Sequence, residues 1–439
     1  MALNQIRTAA AMAAATPDSR NRYADFLRAV AISAVVLGHW LMAAVWVDDS
    51  GFHADNILES VAAAQWLTWS LQVMPIFFLV GGFSNAVGWS RRNGAYGAWL
   101  RNRLHRLVMP TVPLIVLWSL LGLVAPQFGL DPRLARLGSQ VALVPLWFLA
   151  VYVLMVAATP LTMAIWIRYR GRAVLALAAA AVGTDLARSL MTAPVGFINY
   201  LFVWGSVYLL GHAWQDGAFG GARRGRQLAA VAGAALVAMT VGGPYHISMV
   251  GVPGVEFGNT APPSAALLAL GFTQIGLALS IEAPMRRFLR LPAPWTATIL
   301  VNSSIMTLYV WHMTAMALTI GLLLLVQPAL LAVVPGGASW WFSRPLWVGL
   351  LAAATLPFIA LFRRFETGSR AKEAGPASSL IAAVAATAAV CVSSGSVASK
   401  GLTTAHPVWA GAAIVPLLAV GVWLASSRRA AHHRELIGR

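Results

Sequence analysis

The first long apolar stretch of the chain carries an arginine and a histidine that could work together chemically. Arg28 and His39 are eleven residues apart, and eleven steps of about 100° make three helical turns plus about 20°. Both side chains therefore share one helix face, about 16 Å apart along the axis. Ionisable groups inside an apolar span are costly and are functional candidates by default.

The imidazole of His39 is the main catalytic candidate. Neutral imidazole can take a proton near pH 7, which suits a general base or a nucleophile that carries a transferred group. A hydrogen bond to a neighbouring helix is the alternative role. Asp25 lies three residues before Arg28, at the helical spacing for a partner, and is grouped with His39 as a catalytic candidate. An ordinary interfacial ion pair is the alternative for Asp25.

A second cluster lies in a loop and helix start over residues 91–106, which hold five arginines and one histidine. The planar guanidinium fork suits phosphate, and Arg103 and Arg106 share a helix face. Membrane topology and lipid headgroups are the alternative explanation for the cluster. The anion-binding candidates of the chain are Arg28, Arg91, Arg101, Arg103 and Arg106.

Further polar residues interrupt apolar stretches and could line a cavity or contact an acceptor. Interhelical hydrogen bonds, or a neutralised pair for the two charged residues, are the alternatives. Near one of them, Pro75 and Gly81-Gly82 predict a kink and a close helix approach. The cavity candidates are Asn85, Tyr309, His312, Asp185 and Arg188.

The composition places these residues in a membrane. The 439 residues are 59% hydrophobic and 10% charged, with a mean hydropathy of +0.72, which excludes a soluble globular protein. We predict an all-α, polytopic transmembrane helix bundle. The net charge of +17 then indicates cytoplasmic loops and anionic lipid headgroups rather than a nucleic-acid partner. The single Cys391 excludes a cysteine metal cluster, and we expect no metal.

Twelve stretches are long enough to cross a bilayer. With the N-terminus in the cytoplasm, 26 of the 31 Lys and Arg residues fall on the inner side, so the positive-inside rule predicts that both termini are cytoplasmic. The predicted spans lie near 24–47, 62–89, 107–125, 141–166, 173–190, 195–214, 227–243, 264–281, 297–328, 345–362, 378–393 and 406–426.

The domain organisation follows from changes in composition. Residues 1–22 lack the apolar core of a signal peptide and are predicted to be a disordered cytoplasmic tail. Residues 23–365 form the membrane core of ten spans. Residues 366–380 are polar and contain Gly, Pro and Ser, which is typical of a linker. Residues 381–439 are an accessory two-helix segment with a basic tail.

These residues resemble acyltransferase family 3, a family of bacterial integral-membrane acyl-CoA-dependent O-acyltransferases, over about 24–365. The resemblance rests on the basic residue, ten positions and histidine of the first span, and on four further motifs. The motifs are the Met-Pro-Ile-Phe-Phe of 74–78 with Gly82-Phe83, the Arg-Leu-His-Arg of 103–106, the Pro-Leu-Trp-Phe-Leu of 145–149, and Leu308-Tyr309 with His312.

The resemblance implies transfer of an acyl group, usually acetyl, from cytoplasmic acyl-CoA (acetyl-CoA) to a hydroxyl of a cell-envelope glycan or lipid. It implies that His39 matches the catalytic histidine and that Arg28, Arg103 and Arg106 match arginines that handle the donor. Acyl-CoA is then a substrate, and no cofactor is bound permanently. The implied location is the inner (plasma) membrane. The family core has about ten helices, so the C-terminal pair is a departure.

Two mechanisms remain open at this stage. His39 could deprotonate the acceptor hydroxyl, or it could carry the acyl group as an acyl-imidazole. A second class of function, a secondary transporter or flippase with twelve spans, also fits the hydropathy pattern. The absence of a strong internal repeat counts against a symmetric two-half transporter.

Overall fold

The computed structural model describes residues 2–92, 96–129, 131–191, 194–366, 378–401 and 414–424. This part of the chain is mainly helical, with one antiparallel hairpin, short turns of 3₁₀ helix and connecting loops, the longest of which is 242–264. The all-α prediction is therefore confirmed in its main point.

The elements follow one another in chain order. The first part comprises α1 (Ala2–Ala14), α2 (Arg22–Met42), β1 (Ala43–Asp48), β2 (Gly51–Asn56), α3 (Ile57–Ser60), α4 (Thr68–Leu71), α5 (Met74–Ser90), α6 (Tyr96–Val108), α7 (Val112–Val124), α8 (Pro132–Leu143), α9 (Leu146–Ala157) and α10 (Thr159–Tyr169). The second part comprises α11 (Gly171–Leu190), α12 (Asn199–Gln215), α13 (Ala222–Val241), α14 (Ala265–Ser280), α15 (Glu282–Phe288), α16 (Pro292–Asn302), α17 (Ile305–Val326), α18 (Ala338–Phe362), α19 (Ser378–Lys400) and α20 (Ile414–Leu424).

The chain divides into two compact units. Unit 1 comprises Met1–Ser90, Thr159–Ile305 and Leu331–Arg344, and unit 2 comprises Arg91–Ala158, Met306–Leu330 and Pro345–Arg439. Neither unit coincides with the predicted 23–365 core, because each is assembled from separate stretches of the chain.

Within the described residues, nine helical segments are long and apolar enough to cross a membrane. A tenth candidate joins α14 and α15, which are bent by 55° at their junction. The chain is thus a multi-pass membrane protein. The nine are Arg22–Met42, Ala62–Ser90, Tyr96–Val124, Arg133–Ala157, Gly171–Leu190, Pro194–Gln215, Ile305–Val326, Ala338–Phe365 and Leu380–Ala398.

The predicted count of twelve spans is not confirmed. The stretch at 227–243 lies in helix α13, whose first two turns contain Arg223, Arg224 and Arg226, and α13 is not among the apolar candidates. The stretch at 406–426 is described only at α20, which has eleven residues and is too short to cross a bilayer.

The first predicted span, 24–47, is five residues too long. Helix α2 ends at Met42, and the chain continues into the β1–β2 hairpin. The residues Val45-Trp46-Val47 favour a strand, and Trp46 pairs with His53 across the hairpin, with ring centroids 4.7 Å apart. At the turn, the backbone N–H and hydroxyl of Ser50 donate to Asp48. These hydrogen bonds hold the pKa of Asp48 below its usual range.

Helices α5 and α12 of unit 1 meet through glycine, as the Gly81-Gly82 pair predicted. A Cβ added to Gly82 would lie 2.2 Å from the carbonyl oxygen of Tyr208, and one added to Gly211 would lie 2.3 Å from that of Leu79. Only hydrogen fits between the two backbones at these positions. This contact fixes the height of α5 in the unit.

The prediction of a disordered tail over 1–22 needs correction, because residues 2–14 form helix α1. The segment is rich in alanine, the residue with the highest helix propensity. Ala9 and Ala13 share a face and are buried against Trp295 and Ile299 of α16. The indole N–H of Trp295 also donates to the hydroxyl of Thr16 at 3.0 Å.

In unit 2, helix α19 packs against α6, α8 and α9. The predicted accessory segment is therefore part of this unit rather than an appendage to it. The predicted linker at 366–380 is too long at both ends, since Glu366 is hydrogen-bonded to α17 and α19 begins at Ser378. Residues 367–377 of that linker, and the predicted basic tail at 425–439, lie outside the described residues.

Candidate functional site

The polar face of α2 carries the main candidate site, which lies in unit 1. Arg28 is in the second turn of the helix, and His39 is in its last turn, three residues before the end. The imidazole is half-buried, and it lies nearer the end of the span than the sequence predicted, because α2 stops at Met42.

Asp25 holds two arginines at the other end of this face. Its carboxylate accepts from Arg20 Nε at 2.6 Å and from Arg28 Nη1 at 3.3 Å. Arg28 also donates to the hydroxyl of Ser84 on α5 at 2.9 Å. The Asp25 side chain is only 10% exposed, against 29% for Arg28 and 48% for Arg20. The three groups therefore form a clamp with a net positive charge at the surface end of α2.

The structure does not support the catalytic role predicted for Asp25. Fourteen residues separate Asp25 from His39, which corresponds to about 21 Å along the helix axis. A carboxylate that orients a catalytic imidazole must lie within hydrogen-bond distance. The observed partners of Asp25 are Arg20 and Arg28, which agrees with the ion-pair alternative, and its catalytic role stays a prediction.

Asn85 follows Ser84 on α5 and is 2% exposed. Its Nδ2 is buried and has no hydrogen-bond partner among the described residues. On α16, Asn302 donates through Nδ2 to the backbone oxygens of Asp25 and Thr298, both at 2.9 Å. Its Oδ1 is likewise buried and without a partner in the described part of the chain. Asn302 thus contacts the clamp directly and Asn85 follows a residue that does, and each carboxamide has one unsatisfied atom.

The arginines predicted on α6 belong to unit 2, and they do not act as one group. Arg101 is buried, with its guanidinium 5.5 Å from the ring centroid of Trp423 on α20. Arg103 lies over the ring of Trp99 at 5.5 Å, and Arg106 is exposed. Arg91, in the turn after α5, is exposed as well. Arg103 and Arg106 remain anion-binding candidates on one helix face, whereas Arg101 packs against the C-terminal helix.

Tyr309 and His312 are buried in unit 2. The hydroxyl of Tyr309 donates to the carbonyl oxygen of Pro145 at 2.8 Å, and its ring packs edge-on against Phe148. The imidazole Nδ1 of His312 is 2.7 Å from the carbonyl oxygen of Tyr309. For Tyr309, the interhelical hydrogen bond is therefore the role that the structure favours over cavity lining.

Asp185 and Arg188 of α11 have separate structural roles in unit 1. The Asp185 carboxylate accepts from Asn199 Nδ2 at 2.8 Å, from the Tyr245 hydroxyl at 2.9 Å and from the Ala265 backbone N–H at 2.7 Å. Burial and the Asp185 charge raise the pKa of Tyr245, so its phenol stays protonated and donates. Arg188 instead donates to the carbonyl oxygen of Glu256 and lies over Phe257. These contacts do not support the acceptor-binding role predicted for the pair.

Sequence reasoning missed three residues of the site: Arg20, Ser84 and Asn302. Arg20 was assigned to a tail, although it lies five residues before Asp25. Ser84 directly follows the Gly82-Phe83 of the second-span motif and was not predicted as a site residue. Asn302 is a polar residue in an otherwise apolar stretch. The Asp25 backbone oxygen that it binds lies 277 residues away in sequence, so no local pattern predicts this hydrogen bond. A search of the described residues for groups of three or more metal-ligating side chains finds none.

Comparison with known proteins identifies the family. A family model described as an acyltransferase domain matches residues 21–364 of this chain. The chain belongs to acyltransferase family 3. It is thus a membrane enzyme that transfers acyl groups other than amino-acyl groups, and the transporter alternative is not supported. No curated protein and no solved structure gave a significant match.

The extent of the family match shows which elements of this acyltransferase lie inside the family domain and which lie outside it. The match covers α2 with Arg28 and His39, α5 and α6, and the Pro145 and Tyr309 motifs, which the structure brings together. It begins one residue after Arg20 and ends before α19. Helix α1, Arg20 and the C-terminal helices therefore lie outside the matched region.

Proposed function

We propose that this acyltransferase transfers an acetyl group from cytoplasmic acetyl-CoA to a hydroxyl of a cell-envelope glycan or glycolipid at the inner (plasma) membrane. The observation that carries the proposal is the polar face of α2. A clamp of two arginines lies at one end, and His39 lies about 16 Å beyond Arg28 on the same face. This arrangement suits a donor with an anionic head and a long arm that ends in a thioester.

Arg20 and Arg28 are the residues of unit 1 proposed to bind the donor phosphates. Asp25 fixes the direction of both guanidinium groups, and Arg20 uses only its Nε in that contact. The planar fork of arginine donates parallel hydrogen bonds to phosphate. The 48% exposure of Arg20 leaves its terminal amino groups accessible. For unit 2, we propose an anion-binding role for Arg103 and Arg106 on the basis of their shared helix face.

His39 is proposed as the general base. The imidazole takes the proton of the acceptor hydroxyl while the hydroxyl oxygen forms a bond to the thioester carbonyl carbon. The tetrahedral intermediate then collapses, the carbon–sulfur bond breaks, and the thiolate leaves with the proton from the imidazolium. The products are the acetyl ester and free coenzyme A, so atoms and charge balance without a further reactant.

The experiment combines purified protein with the envelope fraction. The protein is reconstituted in lipid nanodiscs and incubated with radiolabelled acetyl-CoA and an envelope extract from a strain that lacks the gene. We expect thiol release together with label in an alkali-labile ester of the extract, and loss of one acetyl increment in the mass spectrum of the deletion strain's envelope. Thiol release without any labelled envelope component would contradict the proposed acceptor, and absence of thiol release would contradict the donor.

A further inference from the structure

Two carboxamide side chains next to the arginine clamp each keep one buried atom without a partner. They are complementary, because Asn85 offers a donor and Asn302 an acceptor. Unsatisfied buried polar atoms are rare in folded proteins, and each costs stability. A ligand that presents one acceptor and one donor would satisfy both atoms.

Asn302 is linked to the clamp by a hydrogen bond, and Asn85 is the residue after one that is linked in the same way. Asn302 donates to the backbone oxygen of Asp25, and Asp25 binds Arg28, which in turn donates to Ser84, the residue before Asn85. The clamp is therefore bonded to α5 at Ser84 and to α16 at Asn302, and both helices pack against α2. The orientation of Asn302 is fixed, since both partners of its Nδ2 are carbonyl oxygens, which can only accept.

We propose that Asn85 and Asn302 bind a secondary amide in the arm of the acyl donor. An amide presents one carbonyl oxygen and one N–H, which match the unsatisfied Nδ2 of Asn85 and the unsatisfied Oδ1 of Asn302. The pantetheine arm of an acyl-CoA contains two such amides between its phosphates and its sulfur. The inference rests on the proposed donor, and it assigns Asn85 to the donor rather than to the acceptor.

Other unsatisfied carboxamides of unit 1 lie elsewhere and provide a control. Asn199 also has a buried Oδ1 without a partner in the described residues, but its Nδ2 is bound to Asp185 at 2.8 Å. An unsatisfied atom alone therefore does not define the donor site. Proximity to the arginine clamp distinguishes Asn85 and Asn302 from Asn199.

The test measures binding of two fragments of coenzyme A to protein in nanodiscs, by calorimetry or by ligand-observed magnetic resonance. Pantetheine carries the amides and no phosphate, and adenosine 3′,5′-bisphosphate carries phosphates and no amide. Asn85→Leu removes the carboxamide at similar size. We expect it to raise the Kd of pantetheine about fivefold to tenfold, the loss of about one hydrogen bond, and to leave the Kd of the bisphosphate unchanged.

Three further variants test the phosphate site, the second carboxamide and a control carboxamide. Arg20→Ala should give the reverse pattern, with weaker bisphosphate binding and unchanged pantetheine binding. Asn302→Leu should weaken pantetheine binding as Asn85→Leu does. Asn199→Leu should leave both Kd values unchanged while lowering the Tm. Asn85→Leu should not lower the Tm of the ligand-free protein, because it removes an unsatisfied buried donor.

The outcomes separate this inference from the proposed function. An unchanged pantetheine Kd in Asn85→Leu, or an equal loss of both fragments, overturns the amide site. Wild-type protein that binds pantetheine in an Asn85-dependent way but transfers no acetyl group overturns the proposed reaction and retains the site. Wild-type protein that binds neither fragment overturns both.

Discussion

At the residue scale, the question for Asp25 is whether it orients the two arginines or takes part in the chemistry. Its carboxylate binds Arg20 and Arg28, and it lies about 21 Å along α2 from His39. Loss of its charge should misdirect the two guanidinium groups without altering the base. The kinetic constants of a variant can separate these two effects.

We therefore expect Asp25→Asn to raise the KM for acetyl-CoA about fivefold to thirtyfold, which corresponds to about 1–2 kcal/mol of lost binding, while kcat stays within about twofold. Asp49→Asn, at an exposed position in the hairpin turn, is the matched control and should change neither constant. A fall in kcat of a hundredfold or more in Asp25→Asn would restore the catalytic role.

The residues of the site differ in how far sequence could predict them. Arg28 and His39 were predictable, because their spacing places them on one helix face and because an ionisable side chain in an apolar span costs free energy. The clamp was only half predictable, since the partner of Arg28 followed from the i and i+3 spacing but Arg20 did not. Asn302 was recognisable as polar, yet its contact with Asp25 depends on how α16 packs against α2. A contact between segments that are far apart in sequence produces no periodic pattern from which it could be predicted.

At the scale of elements, the glycine contact between α5 and α12 sets the position of Ser84 and Asn85. A Cβ at Gly82 would lie 2.2 Å from a backbone oxygen, which cannot move without the helix. A Cβ at Gly205 of the same α12 would lie 3.4 Å from a flexible Leu177 methyl group.

Gly82→Ala should therefore cost about 1–3 kcal/mol of stability through overpacking and should lower donor affinity. Gly205→Ala should be neutral or stabilising by up to about 1 kcal/mol, because alanine is the better helix former. Thermal unfolding in detergent and the KM for acetyl-CoA measure the two effects. Equal Tm values for both variants would contradict the close backbone contact.

Glu366 caps helix α17 in unit 2, just beyond the family match. Its carboxylate accepts from the backbone N–H groups of Met306 and Thr307, both at 3.1 Å, and from the Thr307 hydroxyl at 3.0 Å. Burial raises the pKa of Glu366, and these hydrogen bonds offset part of the increase. The sequence predicted a linker here, because a polar, Gly- and Ser-containing segment follows and the partner helix is 60 residues away.

Glu366→Ala should lower stability by about 1–2 kcal/mol through loss of the cap, and Glu366→Gln should lose less, because one oxygen can still accept. The raised pKa means that the folded protein retains the proton to higher pH than the unfolded chain. The stabilisation that Glu366 contributes to the folded protein is therefore fully present at pH values below the usual pKa of a glutamate. It is lost as the pH rises through the raised pKa. A series of Tm values between about pH 4 and 7 should show this slope in the wild type and not in Glu366→Gln. An identical slope in both would contradict the buried cap.

At the scale of the whole molecule, the architecture was predictable as a class and not in detail. Hydropathy indicated a multi-pass helical membrane protein, and the family motifs indicated the extent of the matched region. The predicted count of twelve spans is not confirmed: nine or ten segments of the described residues are long and apolar enough to cross a membrane, and α13, with arginines in its first two turns, is not one of them. The placement of the C-terminal helices in unit 2 depends on packing of small residues, which composition alone does not reveal.

Removal of the C-terminal segment tests its place in unit 2. Helix α19 packs against α6, α8 and α9, and the ring of Trp423 on α20 covers Arg101. A chain truncated after residue 377 should expose these surfaces and lower the Tm by about 5 °C or more. Trp423→Ala alone should give a smaller decrease. A truncated chain with unchanged Tm and activity would show that the accessory segment is independent of the unit.

The central claim is that His39, at the far end of the clamp-bearing face, performs acyl transfer. The most direct measurement is transfer of radiolabelled acetyl groups from acetyl-CoA by purified His39→Ala in nanodiscs, with His246→Ala, an exposed histidine, as the matched control. His39→Ala should lose at least about a hundredfold in kcat with unchanged Tm and donor affinity, whereas His246→Ala should keep wild-type activity. Transfer at the wild-type rate by folded His39→Ala would contradict the proposed role of His39 as the general base.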